Sequence, residues 1–516
     1  MFSFSLKETI SAFATISFIS IIFSSLKYYY KYFTRSNPYK GPFPLPLLGN
    51  LHQFFYHRHD VSSWLDSLHL KYGDVFEIYL GPDRQLIINN LQITERVLSP
   101  LRNSNYIMRS TPNKGLDELG KSNQGIVVNR DINKWAHNRK ILIRAIMAPN
   151  ALKFSADLVN RVFKDLETYW DSLINEMGES ITSKGIHQKK VLEIDLVPWI
   201  KRVFTENIML LATNRQTNML LNYYKISKKE KDFNIVKTAE DEYLHNLDFV
   251  QDCVRYYATF PLFIRNLPLI KIYSNYLLNK FLSTRKYIIN LIKESREKIE
   301  NISDKENLTP DMVNMLLTIN TPKDITQGIA NDLNDKPMSD VEIINVISET
   351  FLAGIQTSSD AFSFVIYYVS SHPEVEQNIL KEIEQVVGDK SNLDYEDLKK
   401  MEYIEAVIKE VLRIRPIGTS IGREATNFDQ IGDYKIPGST LTVINVKSLH
   451  MNPNYWNEPT KFNPSRFLKN KNHDNNSEDS FIKNTFLPFG GGLRICPGRH
   501  LAMNQLKLLV KLSHRN

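Results

Sequence analysis

The sequence has little cysteine, with only Cys253 and Cys496 in 516 residues. Two cysteines cannot form the disulfide framework of a small secreted domain, so the folded part of the chain is expected in a reducing compartment. Zinc-finger spacings, aromatic RNA-binding signatures and long basic tracts are also missing. Although the net charge is +7, these absences argue against nucleic acid as a partner.

The sequence also lacks internal repeats, and helical patterns dominate it. Residues 341–371 are apolar on nearly every side, which predicts a long helix through the middle of a large domain. Ser339 or Asp340 can cap the start of this helix. A second helix is predicted over Glu374–Val387, ended by Gly388. Strand-like stretches are fewer, near residues 73–90 and 439–446, so the fold class is mainly α with a small β-sheet.

The longest run without charge near the N-terminus is Thr9–Leu26. As a helix it would span about 27 Å, close to the thickness of a bilayer core. Lys27, Lys31 and Arg35 follow among tyrosines, and positive charge on this flank predicts that the C-terminal side stays cytosolic. No small-residue cleavage site follows the run. Residues 1–36 are therefore predicted to be a single-pass membrane anchor with its flank.

A proline-rich segment, residues 37–50, comes next. Its four prolines between Pro38 and Pro46 exclude helix and favour a stiff extended hinge. The remaining residues, 51–516, are predicted to form one large domain.

Cys496 lies in FLPFGGGLRICPGRHLA, residues 486–502. Glycines surround it, Pro497 suits the first turn of a helix, and leucines recur at helical spacing beyond it. A helix N-terminus together with Arg494 and Arg499 would favour a thiolate. From the residues alone, a nucleophile, a metal ligand and a buried thiol all remain open.

The same loop carries the pattern F-x-x-G-x-R-x-C-x-G at Phe489, Gly492, Arg494, Cys496 and Gly498. This pattern resembles the haem-binding loop of the cytochrome P-450 superfamily, and the proline-rich hinge (GPFPLPLLGN) is similar to that of its microsomal members. The resemblance implies that the sulfur of Cys496 is the axial ligand of the iron in haem b. It further implies that Phe489 lies beside the sulfur and that Arg494 meets a haem propionate.

Other motifs resemble the same family in the expected order. The resemblance implies a buried network of Glu410, Arg413 and Arg466 behind the haem, although Ser465 replaces a usual glutamate. Buried charges require such partners.

Further family motifs concern the propionates. Trp135 and Arg139 (WAHNR) and Arg423 (IGREA) stand where the family places donors to these groups, and the resemblance implies that role here.

The long central helix contains AGIQTSSD. The Thr357 hydroxyl can donate to the carbonyl of Ala353, which loosens a helix locally; alternatively, the small residues only permit close helix packing. The resemblance implies an oxygen-activation groove with Thr357, Gln356 and Asp360 as catalytic candidates. Gln356 stands where an acid is usual, and an amide cannot exchange a proton at neutral pH. Asp360 is expected on the same face as Thr357 and able to compensate.

Only 20 residues follow Cys496, whereas the family normally continues with strands and a hairpin that reaches the substrate pocket. We therefore expect those C-terminal strands to be missing. Residues near 101–125 and 205–265 are expected to line or cover the pocket, again by resemblance.

The resemblance implies a monooxygenase that inserts one atom of O2 into a small apolar substrate. Electrons would come from NADPH through a flavoprotein reductase, with cytochrome b5 as a further candidate partner. Its expected place is the endoplasmic reticulum membrane, in contact with lipid, with the catalytic domain cytosolic. Two alternatives remain: a reductase-independent haem-thiolate isomerase or dehydratase, and a non-catalytic truncated haem protein.

Overall fold

A computed structural model describes residues 6–46, 48–57, 60–101, 104–109, 115–121, 123–147, 149–177, 179–181, 189–228, 238–260, 262–325, 336–388, 395–468 and 484–513. Helices make up most of this part of the chain, as the sequence predicts. In order they are α1 (Leu6–Phe33), α2 (Leu51–Tyr56), α3 (Val61–Tyr72), α4 (Leu91–Val97), α5 (Gly115–Glu118), α6 (Ile132–Met147), α7 (Pro149–Met177), α8 (Leu196–Thr213), α9 (Met219–Ser227), α10 (Ala239–Thr259), α11 (Leu262–Arg265), α12 (Pro268–Asn301), α13 (Met312–Thr318), α14 (Asp340–Ser370), α15 (Pro373–Val387), α16 (Tyr395–Lys400), α17 (Glu402–Ile414), α18 (Val446–Met451) and α19 (Arg499–Ser513).

The strands are short. They are β1 (Val75–Leu80), β2 (Asp83–Ile88), β3 (Glu179–Ile181), β4 (Lys189–Val191), β5 (Ser420–Glu424), β6 (Asp429–Ile431), β7 (Tyr434–Ile436) and β8 (Leu441–Asn445). One sheet has the order β1-β2-β8-β5, in which only β2 and β8 run parallel. The pairs β3-β4 and β6-β7 are separate and antiparallel. The strand predictions near 73–90 and 439–446 are therefore confirmed as β1, β2 and β8.

The central helix α14 forms as predicted. Ser339 accepts a hydrogen bond from the Glu342 amide, and the Glu342 carboxylate accepts one from the Ser339 amide, so a capping box fixes the start. Buried apolar side chains along α14 join the two largest hydrophobic clusters of the molecule. Helices α8, α12, α17 and α19 pack against it. The helix therefore runs through the core and can present one stretch of its surface to an internal cavity.

The C-terminal end of α1 is held against the first sheet. The Arg35 and Arg84 guanidinium groups both donate to the buried Glu77 carboxylate, at 2.7 and 2.8 Å. Tyr29 stacks on Phe43 of the hinge, with ring centroids 5.5 Å apart. These contacts join α1 to the sheet, and the described part of the hinge ends in a turn in which Leu45 and Gly49 exchange backbone hydrogen bonds at 2.9 and 2.8 Å.

The predicted membrane-spanning segment, residues 9–26, lies within α1. Across the part of the chain that the structure describes, no helix is both long and apolar enough to cross a membrane. The transmembrane prediction is therefore not supported.

The end of the chain after Cys496 forms α19, while residues 514–516 lie outside the described residues. The leucines of α19 that the sequence places at helical spacing are all buried: Leu501, Leu508, Leu509 and Leu512.

Candidate active site

A cavity of about 320 Å³ lies between α14 and the loop that leads into α19. Most of its wall is apolar, and Cys496 and Thr357 both line it. The segments expected to border the pocket are represented in part, because Ile208 lies within 205–265 while Ile126 and Val127 directly follow 101–125. A mainly apolar cavity with a few polar groups is the usual form of a cofactor or substrate site.

The Cys496 loop is shaped by glycine. Gly490 and Gly492 have φ angles of 73° and 67°, a region that favours glycine. A Cβ atom on Gly492 would also come within 2.5 Å of the Leu98 carbonyl oxygen. The Cys496 amide then donates to the Phe489 carbonyl at 2.9 Å, which closes the loop. Phe489, Cys496 and Gly498 all reach the cavity, as the motif predicts.

The ionisation of Cys496 differs from the expectation. Burial raises the pKa of the thiol, and this outweighs the Gly498 amide and the charges of Arg139, Arg499 and Arg109. The helix begins only at Arg499, three residues beyond the sulfur. Without a metal ion, burial therefore favours the thiol, whereas a metal ion bound to the sulfur would favour the thiolate.

Three predicted arginines lie together beside this loop. Arg494 is buried and donates to the carbonyls of Asn129 and Ile107, at 2.8 and 3.2 Å. Burial and neighbouring arginines lower the pKa of Arg494 to about 9 and that of Arg423 to about 8. Arg139 donates to the Ile495 carbonyl at 2.6 Å. A bound anion would stabilise this buried positive charge.

Trp135 lies within this group on α6. Its ring centroid is 4.0 Å from the guanidinium carbon of Arg494 and 5.8 Å from that of Arg139. Its buried Nε1–H has no hydrogen-bond partner among the described residues. An unpaired buried donor beside buried guanidinium groups fits the carboxylates of a ligand.

Arg109 is a member of this cluster that the sequence reasoning missed. Burial and Arg139 lower the pKa of Arg109, and its buried Nε has no partner among the described residues. The surrounding letters, YIMRS, belong to none of the recognised motifs, so only the fold reveals this residue. The donors of the cluster lie beside the Cys496 loop, and with Cys496 lining the apolar cavity they fit haem with its two propionates.

On α14, Ala353 and Thr357 are exposed only because they face into the helix-lined cavity. The Thr357 hydroxyl donates to the Ala353 carbonyl, as predicted. A Cβ atom on Gly354 would lie 2.8 Å from Cδ1 of Ile208. The small residues therefore allow close packing against α8 and also line the cavity, while the oxygen-activation role stays a prediction.

Gln356 and Asp360 do not join Thr357. The Gln356 amide donates to both Asp360 carboxylate oxygens at 3.2 Å, and neither residue lines the cavity. The nearest charges to Asp360 are Lys201 of α8 and Asp248 of α10. Asp360, although only three residues after Thr357, therefore does not line the cavity beside it, and its compensating role stays a prediction.

Glu349, which the sequence reasoning also missed, lines the cavity instead. Its Oε2 accepts from the amides of Ile126 and Val127, at 2.6 and 2.9 Å. Its Oε1 is buried and has no partner among the described residues. Burial raises the pKa of Glu349. No spacing signal in the sequence marks it, because its partners are backbone groups of a distant loop.

The predicted network on α17 is confirmed. Glu410 accepts two hydrogen bonds from Arg413, at 2.7 and 2.9 Å, and one from Arg466 at 3.2 Å. Glu410 and Arg413 are fully buried. The Asn463 amide also donates to Glu410, at 2.9 Å.

Comparison with known proteins agrees with this site. The sequence model of the Cytochrome P450 family matches residues 39–513. The chain is 26% identical over 500 residues to cytochrome P450 3A15 of Cavia porcellus, covering 95% of this chain and 88% of that protein. It is 26% identical over 479 residues to tabersonine 16-hydroxylase 1 of Catharanthus roseus, covering 91% and 83%. It is 26% identical over 473 residues to a steroid 17-alpha-hydroxylase/17,20 lyase of Squalus acanthias, covering 90% and 82%.

The family model matches nearly the whole chain, and the cysteine loop and the cationic cluster fit haem b. The chain is an oxidoreductase that belongs to the cytochrome P450 family.

Proposed function

We propose that this protein is a haem-thiolate monooxygenase that inserts one oxygen atom of O2 into an apolar organic substrate. The observation that carries the proposal is the cavity that Cys496 and Thr357 both line, together with the buried arginine cluster beside the Cys496 loop. In that cluster Trp135 Nε1 and Arg109 Nε have no hydrogen-bond partner among the described residues. Relatives named as hydroxylases act in the same reaction class. Electrons would reach the site from NADPH through a flavoprotein reductase that meets the surface near Arg499.

The chain's own residues divide the work. Cys496 would ligate the iron, while Arg109, Trp135, Arg139, Arg423 and Arg494 would hold the propionates. Bound haem supplies oxygen binding and electron transfer, chemistry that side chains lack. The Thr357 hydroxyl can hold a proton at its oxygen on the cavity side. Apolar walls such as Ile208 and Ala361 exclude water from the substrate.

The decisive test is a carbon-monoxide difference spectrum of the reduced protein, because only thiolate-ligated haem gives the family's characteristic Soret band. The wild-type protein should show this band and Cys496→Ala should not. Oxidation of an apolar substrate should then require NADPH and the reductase. Two results together would contradict the monooxygenase proposal and favour an isomerase. The protein would turn over an organic peroxide without NADPH, and it would not oxidise an apolar substrate when NADPH and the reductase are supplied.

We further propose that the protein works at the endoplasmic reticulum membrane. The support is the exposed apolar surface of α1, where Phe18, Phe23 and Leu26 are all more than half exposed, followed by Lys27 and Lys31. Flotation of the full chain with lipid vesicles tests this, and loss of flotation after removal of residues 1–26 is the expected control result.

A further inference from the structure

His450, at the end of α18, is fully buried and bonded through both ring nitrogens. Its Nε2 lies 2.8 Å from the Leu487 amide nitrogen, and its Nδ1 lies 3.1 Å from the Arg413 carbonyl oxygen. The amide can only donate and the carbonyl can only accept. Nε2 must therefore be the acceptor, and Nδ1 must carry the proton. Burial lowers the pKa of His450 to about 3, so the ring is neutral across the physiological range.

The His450 ring thus forms a bridge between the Arg413 carbonyl and the Leu487 amide. At the Arg413 end, this bridge is joined to the Glu410 network. The Arg413 side chain donates to the His450 carbonyl at 2.8 Å, while the His450 ring donates to the Arg413 carbonyl. The two residues are thus joined in both directions. Glu410 accepts two hydrogen bonds from the Arg413 guanidinium. The residue to which the His450 imidazole is bonded is therefore itself held in place.

The other end of the bridge holds the segment that enters the cysteine loop. The Leu487 carbonyl accepts from the Gly490 amide at 3.0 Å, and the Phe489 carbonyl accepts from the Cys496 amide at 2.9 Å. The ring of Phe486 stacks on His450, with centroids 5.6 Å apart. A short series of bonds therefore connects the imidazole to Cys496.

We propose that His450 is a positioning residue that sets the place of the Cys496 loop relative to α17. It does so by accepting the Leu487 amide, and this inference rests on the proposed haem-thiolate function. His450 does not line the cavity. Its effect on the site is exerted entirely through Leu487 and the turn that follows.

Two variants separate the two bonds of the ring. In His450→Gln the longer amide side chain reaches the Nε2 position and still accepts from Leu487. In His450→Asn the shorter amide reaches only the Nδ1 position, donates to Arg413 and leaves the Leu487 amide unpaired. Trp456→Phe is the matched control, since it removes another buried hydrogen bond nearby, from Nε1 to the Leu449 carbonyl at 3.2 Å.

The readouts are the reduced carbon-monoxide spectrum and hydrogen exchange of the Leu487 amide, measured with and without haem. In His450→Asn we expect amide protection to fall about tenfold, because a buried donor is left unsatisfied. In the reduced carbon-monoxide spectrum of His450→Asn, a larger fraction of the haem should also give the Soret band of haem without a thiolate ligand. His450→Gln and Trp456→Phe should keep the wild-type spectrum.

Equal spectra for His450→Asn and Trp456→Phe would overturn the proposal, as would a disturbed spectrum in His450→Gln. If His450→Asn does not fold, His450→Gln decides alone, since it must keep the wild-type spectrum. Failure of the wild-type protein to show thiolate ligation would instead reject the proposed function, and amide exchange would still report whether His450 holds the loop.

Discussion

Two buried glutamates on packed helices, Glu410 of α17 and Glu349 of α14, are bonded differently. Both oxygens of Glu410 accept hydrogen bonds, from two arginines and a backbone amide. Glu349 has two amide donors on one oxygen and none, among the described residues, on the other. A fully bonded buried charge holds a scaffold, whereas a partly bonded one at a cavity keeps an oxygen for a ligand or water.

The strongest test of this comparison is Glu410→Ala. It leaves the Arg413 charge buried without its carboxylate, which is expected to cost about 3–5 kcal/mol of folding free energy. Chemical denaturation measures the loss. The control is Glu402→Ala at an exposed position of the same helix, which should change stability by less than about 0.5 kcal/mol. Equal losses of folding free energy in Glu410→Ala and Glu402→Ala would show that the Glu410 network does not contribute to stability.

A change in the arginine cluster should affect haem retention more than folding. In Trp135→Phe the unpaired Nε1–H disappears, so the stability of the haem-free protein should hold or rise slightly. Haem release to an acceptor protein should become about tenfold faster, because a hydrogen bond to a charged group is lost. A fall in haem-free stability with unchanged haem release would contradict the assignment of Trp135 to a propionate.

The Glu349→Gln variant tests the comparison through the pH dependence of folding stability. A raised pKa means that the folded protein binds the Glu349 proton more tightly than the unfolded chain does. Stability from this group is therefore present below about pH 4.3 and is lost as pH rises toward the folded pKa. The wild-type protein should lose stability relative to Glu349→Gln over that rise, as measured by denaturation midpoints. A parallel pH dependence of the two proteins would show that Glu349 is not perturbed.

The smallest effect is expected at Asp360. Because it pairs with Gln356 and does not line the cavity, Asp360→Asn should leave the ratio of product formed to NADPH consumed close to the wild-type value. Thr357→Ala should lower this ratio. A large loss of coupling in Asp360→Asn would restore the catalytic role that the sequence predicted for Asp360.

The sequence was informative where a chemical pattern is local. The loop around Cys496, the i,i+3 pair of Glu410 and Arg413, and the capped helix α14 all follow from short-range spacing. Their positions in the structure agree with prediction.

Prediction failed where tertiary packing decides. Glu349 and Arg109 act through backbone groups and charges that are remote in sequence, so no spacing marks them. Helical spacing puts Asp360 three residues after Thr357, but it does not reveal that Thr357 lines the cavity and Asp360 does not. Burial raises the pKa of the Cys496 thiol despite the nearby cations, and local spacing does not reveal that burial.

The hydrogen bonds of Arg35 and Arg84 to Glu77, which join the end of α1 to the first sheet, limit where the polypeptide can be cut. A truncation that removes everything through Asn37 also removes Arg35 and the Ser36 and Asn37 carbonyls to which Arg84 donates. Glu77 would then keep a single arginine whose own tethers are gone. A shortened protein that begins before Arg35 keeps both arginine bonds to Glu77 and the carbonyls that hold Arg84.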